Sequence, residues 1–315
     1  MALDIKVKAL LTAIAAADLP ALDDLPVAVL REQIESRFLK LRIPCREVGS
    51  IVNIDIPGSE CRIPLRIYKP AGDGPFPVVV FVHGGGWVLF TPESYDPICT
   101  HLCHDADCLV VSVDYRRSPE SKFPAAVNDC YDAVCWIGNH IGKYGGDPTK
   151  IALAGDSAGG NLVAVTVIRL RDEGGPVCCG QVMLYPVTDY YTKDRNSYRE
   201  FAEGYGLTFS DMEWFWDKYL ASPAEAVNPL ACPILTTDLA GLPDAFIMVA
   251  GNDPLRDEGI EYAHRLQAAG TPTHLSVYDE MIHGFISYLG ILGHARTALR
   301  ETAHWLKARF AEKVK

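Results

Sequence analysis

The stretch Ile151–Asn161, I-A-L-A-G-D-S-A-G-G-N, constrains this chain more than any other. A short apolar run ends in Gly155-Asp156-Ser157-Ala158-Gly159, and an apolar helical segment, Leu162 to Leu170, follows at once. That order is strand, tight turn, helix, with a serine at the apex. Glycines two residues before and two after Ser157 let the turn sharpen until the hydroxyl stands clear of the backbone, and they leave room for helix and strand to pack closely. G-x-S-x-G also occurs by chance as an ordinary turn. Its meaning therefore depends on whether the rest of the chain supplies a base, an acid and an anion-binding loop.

The surrounding pattern is that of a mostly parallel sheet. Continuous apolar runs, as expected for strands covered on both faces, fall at Val78–Val82, Leu109–Val113, Ile151–Ala154, Val182–Tyr185, Phe246–Ala250 and, shorter, Leu275–Tyr278. Helical patterns lie between them, at about Tyr95–Cys103, Ala125–Ile141, Ala158–Arg171 and Glu258–Ala269, with a last helix from about Ser287 to Ala311. Ahead of them, Val48–Ile56 and Cys61–Tyr68 alternate apolar and polar residues around the turn Pro57-Gly58-Ser59, which reads as an antiparallel pair. Residues 1 to about 43 read as helical, broken at Pro20 and Pro26. From Asp189 to about Pro229 no strand pattern appears and aromatics are dense, so this segment reads as an insertion between two strands. Within it, Ser210 followed by Asp211 and Glu213 reads as an N-cap opening a helix.

A serine hydroxyl is a poor nucleophile until a base takes its proton, and the base must itself be held by a third group. On an α/β sheet the acid and then the histidine follow the serine, from loops at the carboxyl ends of later strands. Asp253 lies just past Phe246–Ala250, whereas Asp257 and Glu258 come later and suit the first turn of the next helix. Of the nine histidines, His83, His101, His104 and His140 precede the serine, His264, His294 and His304 sit in helical patterns, and His274 is at the wrong end of its strand. His283 remains, in the loop after the last strand. Val82-His83-Gly84-Gly85-Gly86-Trp87 ends another strand, and three consecutive glycines carry an entropic cost that needs a reason. An oxyanion hole supplies one, because bare N–H groups must reach a developing alkoxide.

With these four motifs in order, the chain resembles the hormone-sensitive-lipase family of α/β-hydrolases, the bacterial family IV carboxylesterases, over nearly its whole length. The resemblance runs from H-G-G-G-W through G-D-S-A-G-G-N to D-P-L-R-D-E and H-G-F. It implies an α/β-hydrolase fold, a mostly parallel central sheet flanked by helices. Residues 46–188 and 230–315 would form the catalytic domain, with residues 1–45 and the insertion 189–229 as a helical cap. It also implies Ser157 as nucleophile, His283 as base, Asp253 as acid, and Gly85, Gly86 and Ala158 as oxyanion donors. Trp87, Tyr205, Phe209 and Trp214 are the expected substrate contacts. Tyr115-Arg116-Arg117-Ser118-Pro119-Glu120 departs from the family's Y-R-L-A-P-E at two positions, which bears on local packing rather than on the triad. The implied activity is hydrolysis of short- to medium-chain acyl esters through an acyl-serine, with neither cofactor nor metal. An amidase or lactonase on the same triad, or a non-catalytic ligand receptor like the plant gibberellin receptors, are the rival readings. Loss of a triad residue would favour the receptor. The family often dimerises, so a homodimer is a further expectation.

Composition narrows the partners. A net charge of −11 argues against nucleic acid and anionic membranes, and no apolar run reaches the roughly 18 residues of a membrane span. Lys6 and Lys8 ahead of Ala9–Ala17 faintly resemble a secretory leader, but Asp4 and the alanine-rich run fit better a helix packed on the body. The ten cysteines are poorly placed for a disulfide framework: Cys130 and Cys135 share a helical pattern and Cys178-Cys179 are adjacent. Reduced thiols in a cytoplasmic protein are expected. Cys99, His101, Cys103, His104 and Cys108 do not match the spacing of a zinc module.

Overall fold

A computed structural model describes residues 3–17, 20–41 and 45–312. Its strands are β1 (Ser50–Pro57), β2 (Arg62–Lys69), β3 (Phe76–Val82), β4 (Leu109–Val113), β5 (Gly146–Asp156), β6 (Gly180–Leu184), β7 (Ala245–Asn252) and β8 (Thr273–Ile282). They form one sheet in the order β1-β2-β4-β3-β5-β6-β7-β8. β1 and β2 pair antiparallel, β2 meets β4 antiparallel, and β3 to β8 run parallel.

Alternation within the apolar runs creates two cores, because successive side chains of a strand point to opposite faces. Val78, Val80, Val82, Val111 and Val113 face one layer, built on α4 (Ala125–His140), α5 (Ala158–Glu173) and α8 (Arg256–Ala268). Val79, Phe81 and Val110 face the other, where α3 (Asp96–Ala106) and α9 (Gly293–Ala311) contribute Ile98, Leu102, Leu299 and Leu306. Each fully buried side chain of this size contributes about 1.5–3 kcal/mol, so both layers are held strongly.

Outside these layers lie α1 (Ile5–Ala16) and α2 (Val27–Leu41). α1 buries Val7 and Leu10 in the second core. Of the segment expected to be helical up to residue 45, residues 1–2, 18–19 and 42–44 lie outside the described residues. Between β6 and β7 come α6 (Asn196–Glu200), α7 (Phe209–Tyr219) and two 3₁₀ turns, with no strand among them.

β5 and β8 run longer than the apolar stretches that marked them, and two helix starts differ from the sequence reading for a local reason. The cap of α7 is Thr208, not Ser210: Thr208 Oγ1 accepts from Asp211 N at 3.0 Å, and Asp211 Oδ2 accepts from Thr208 N at 2.9 Å. Thr208-x-x-Asp211 and Ser210-x-x-Glu213 both have capping-box spacing, and the reciprocal pair forms at the first. The last helix begins at Gly293, because Phe285–Tyr288 forms a separate 3₁₀ turn. Gly290 intervenes and Gly293 opens the helix, and glycine is costly inside one.

Candidate active site

Ser157, Asp253 and His283 each follow directly on a strand, since β5 ends at Asp156, β7 at Asn252 and β8 at Ile282. β5 to β8 are consecutive parallel neighbours, so these ends reach the same edge of the sheet. There the three side chains meet. His283 Nε2 lies 2.9 Å from Ser157 Oγ, and His283 Nδ1 lies 2.7 Å from Asp253 Oδ2. Asp253 is fully buried, and its Oδ1 accepts from Leu255 N at 2.8 Å. The ring of Tyr185 sets its edge against His283 at 4.9 Å between centroids. The imidazole thus faces the hydroxyl on one side and a fixed carboxylate on the other.

The backbone at Ser157 is strained, with φ 54° and ψ −121°, a region that residues with a Cβ seldom occupy. The neighbouring glycines make the turn possible by close approach. A Cβ on Gly155 would lie 2.5 Å from the Gly159 carbonyl oxygen, and one on Gly159 would strike the Val82 carbonyl oxygen. Ala158 opens α5, so its N–H has no carbonyl within the helix to meet.

The glycine loop after β3 packs against this turn. Gly85 and Gly86 take φ values of 101° and 59°. Gly84 N donates to Asp156 Oδ1 at 2.8 Å, and Tyr95 Oη donates to Asp156 Oδ2 at 3.0 Å. Burial pushes the Asp156 carboxyl up to about 6, opposed by these hydrogen bonds and by the charge on His283. The aspartate of G-D-S-A-G is therefore a strut between the serine turn and the glycine loop.

Ser157 and His283 open on a cavity of about 340 Å³, with Asp253 buried behind them. Gly85, Gly86, Trp87, Val187, Leu207, Met212, Phe215, Trp216 and Leu255 line it with Ser157 and His283, and Leu22 and Ile34 close it from the N-terminal side. Trp87 is stacked flat on Tyr219 at 4.1 Å. The expected contacts Tyr205, Phe209 and Trp214 are not among the lining residues. Tyr205 packs edge-on against Phe201, Phe209 against Tyr191 and Tyr198, and Trp214 against Phe215 beneath Lys218. α7 turns its Met212, Phe215 and Trp216 toward the cavity, which sends Phe209 and Trp214 elsewhere. A larger groove of about 650 Å³ lies between Gly174–Cys179 and Gly241–Asp244. Its arginines, Arg171 and Arg309, already pair with Asp172, Asp244 and Glu312, and it holds no nucleophile with a base, so the smaller cavity is the candidate site.

Three positioning residues escaped the sequence reading. Asn252 Nδ2 donates to Asp279 O at 2.8 Å and Met281 O at 3.3 Å, tying the end of β7 to the end of β8 and so fixing Asp253 relative to His283. Asn161 Nδ2 donates to Val187 O at 3.1 Å and Ala231 O at 2.9 Å, pinning both stems of the segment between β6 and β7. Glu258 does lie in the first turn of α8, but it is fully buried rather than serving only the helix dipole. It accepts from Thr188 N at 2.6 Å, from Asp189 N at 3.2 Å and from the Tyr198 hydroxyl. Burial pushes its carboxyl up to about 8, against those hydrogen bonds and the charge of Arg195.

All ten cysteines are free. Burial pushes the thiols of Cys99, Cys103 and Cys108 up, and among the described residues no group of three or more His, Cys, Asp or Glu could hold a metal ion. Among the described residues no helix is long and apolar enough to cross a membrane.

The chain is similar to known proteins over most of its length. A family profile described as alpha/beta hydrolase fold matches residues 79–287. The carboxylic ester hydrolase LipN of Mycobacterium tuberculosis is 42% identical over 267 residues, covering 83% of this chain and 71% of that protein. An arylesterase of Saccharolobus solfataricus is 36% identical over 276 residues, 87% of each chain. The solved structure of a hyperthermophilic esterase from Pyrobaculum calidifontis superimposes with a TM-score of 0.93 at 40% identity, covering 98% of this chain and 99% of that one. With the serine, histidine and aspartate at the ends of β5, β8 and β7, the chain belongs to the α/β-hydrolase fold family, in its hormone-sensitive-lipase, family IV carboxylesterase branch.

Proposed function

We propose that the protein is a serine carboxylesterase acting on short- to medium-chain acyl esters. The observation that carries this is the hydrogen-bonded line from Ser157 Oγ through His283 to Asp253, opening on a small, largely apolar cavity. Ser157 Oγ attacks the ester carbonyl carbon while His283 Nε2 takes its proton, and Asp253 holds the imidazolium that forms. The N–H groups of Gly85, Gly86 and Ala158 receive the oxyanion. The tetrahedral adduct collapses, the C–O bond to the alcohol breaks, and His283 returns the proton to the leaving alkoxide. Water then enters, His283 takes its proton, and the acyl-serine is hydrolysed by the same steps.

The roof over this site is read as a cap made of residues 1–45 and 189–229 on a catalytic body of 46–188 and 230–315. Trp87 is proposed as a substrate contact, with Met212, Phe215 and Trp216 taking the places expected of Tyr205, Phe209 and Trp214. The esterase names of the relatives favour an ester over an amide or lactone, and the intact triad counts against a receptor. A cytoplasmic location is supported by the free cysteines. The homodimer rests on the family resemblance and is tested by sedimentation.

Hydrolysis of p-nitrophenyl esters from acetyl to palmitoyl, with Ser157→Ala alongside, tests the assignment. The expected result is preference for the short end and a loss of roughly a thousandfold or more in the variant. Equal turnover by both proteins would refute the triad, and an optimum at palmitoyl would refute the chain-length reading.

A further inference from the structure

Among its described side chains, α2 is held on the body more by polar links than by apolar burial. Of its described side chains only Leu30 is buried, against Val88 and Leu89. On the same side, at helical i, i+3 and i+4 spacing, stand Arg31, Ile34 and Glu35. Arg31 Nε donates to Val88 O at 2.7 Å, its Nη2 donates to Ser118 O at 2.6 Å, and its guanidinium grips Glu120 at 2.7 and 2.9 Å. Glu35 pairs with Arg117 at 3.4 Å, and Arg117 also donates to Phe90 O at 2.8 Å. These links end on Val88 and Phe90, a few residues beyond Gly85 and Gly86, and between them Ile34 reaches the cavity wall beside Leu89, Phe90 and Phe215. Arg117 is one of the two positions where the loop departs from Y-R-L-A-P-E, so the Glu35 pair belongs to this chain's own sequence.

We propose that α2 is the chain-length gauge of the site: Ile34, held in place by Arg31 and by the Glu35–Arg117 pair, stops the longer arm of the ester. The inference rests on the esterase reading above. Arg31 is mostly buried and multiply bonded, so its loss would disturb the helix as a whole. Glu35 and Arg117 are each about a quarter exposed (25% and 25%), so their pair is the adjustable part and is open to screening by salt. Loosening it lets Ile34 swing off the cavity and admits a longer chain, while the triad, held by β5, β7 and β8, stays in place.

The test is a ratio, kcat/KM for hexanoate over kcat/KM for acetate, measured on p-nitrophenyl esters and repeated on a series of alkyl acetates. Ile34→Ala is expected to raise the ratio about tenfold in one of the two series, by removing most of a side chain from the wall. Arg117→Leu and Glu35→Gln are expected to raise it about threefold or more in the same series. The double variant should go no further than Arg117→Leu alone, because that substitution already removes the pair with Glu35 together with the bond to Phe90 O. About 1 M sodium chloride should raise the ratio in the unmodified protein and leave the double variant unmoved. A role in stability alone would lower all esters by a common factor. A ratio unchanged in Glu35→Gln, Arg117→Leu and Ile34→Ala, with folding verified by circular dichroism, would overturn the gauge. Absence of hydrolysis of every ester by the unmodified protein would instead overturn the esterase reading beneath it.

Discussion

The floor and the roof of the cavity are built by different physics. The floor consists of Ser157, Asp253 and His283, each the residue after a strand in a continuous parallel ladder. Backbone hydrogen bonds fix where those strands end, and two well-packed layers fix the sheet. The roof consists of α2, α7 and the stems of the β6–β7 segment. It is held by side chains reaching across the fold: Asn161 to Val187 and Ala231, Glu258 to Thr188, Asp189 and Tyr198, and Arg31 to Glu120. A backbone ladder leaves Ser157, His283 and Asp253 little freedom, whereas the roof, although α7 buries Met212, Trp216 and Tyr219 in the first core, is joined mainly by side chains and is the more adjustable part. On the proposed esterase reading, chemistry is set by the first and specificity by the second.

Substitutions at the two levels should therefore behave differently. The largest effect is expected for Gly159→Ala in the floor, whose Cβ would strike the backbone carbonyl of Val82. Neither strand nor helix can retreat there, so about 3 kcal/mol or more of stability should be lost, read from the urea midpoint. Near-wild-type stability would show that the floor yields after all. Next comes Asn252→Ala, which frees the end of β7 from β8. kcat should fall about 10- to 100-fold with KM little changed, because only the orientation of Asp253 is affected. A change confined to KM would move Asn252 from the floor to the roof.

Smaller effects are expected above. A Cβ on Gly86 would strike the ring of Phe215, a side chain on α7 that can turn away, although φ at 59° adds strain of about 1–2 kcal/mol. Gly86→Ala should cost activity about tenfold, with Phe215→Ala in the same chain restoring part of it. No restoration would show that the backbone, not the roof, sets the penalty. The smallest effect per step of the measurement concerns Glu258, whose carboxyl is raised to about 8 in the folded state. Between its ordinary value near 4.5 and about 8, the native protein keeps a proton that the unfolded chain has released. Stability should therefore fall as pH rises through that window, by at most about 1.4 kcal/mol per pH unit. Glu258→Gln should remove this slope. An identical slope in both proteins, followed by urea unfolding from pH 5 to 9, would locate the titration elsewhere.

The same division explains what the sequence disclosed. Continuous valine and leucine runs mark strands buried on both faces, and a residue just past such a run lies at the sheet edge, so Ser157, Asp253 and His283 could be chosen among many competitors. The roof was less legible. Aromatic density identified the β6–β7 segment but not which face of α7 turns inward, so Tyr205, Phe209 and Trp214 were named where Met212, Phe215 and Trp216 line the cavity. Overlapping capping-box spacings hid Thr208 behind Ser210. The roles of Asn161, Asn252 and Glu258 depend on partners 26 to 70 residues away, and no local pattern encodes such distances. Arg117 was visible as an irregularity whose partner, Glu35, only the fold brings near.

The central claim, that Ser157 is a nucleophile made reactive by His283 and Asp253, is tested most directly by covalent trapping. The protein is incubated with diethyl p-nitrophenyl phosphate and followed by intact mass spectrometry and peptide mapping. The account predicts one diethylphosphoryl group per chain, carried on Ser157, with labelling abolished in Ser157→Ala and slowed at least about a hundredfold in His283→Ala. Labelling of another residue, or equal labelling of Ser157→Ala, would contradict it.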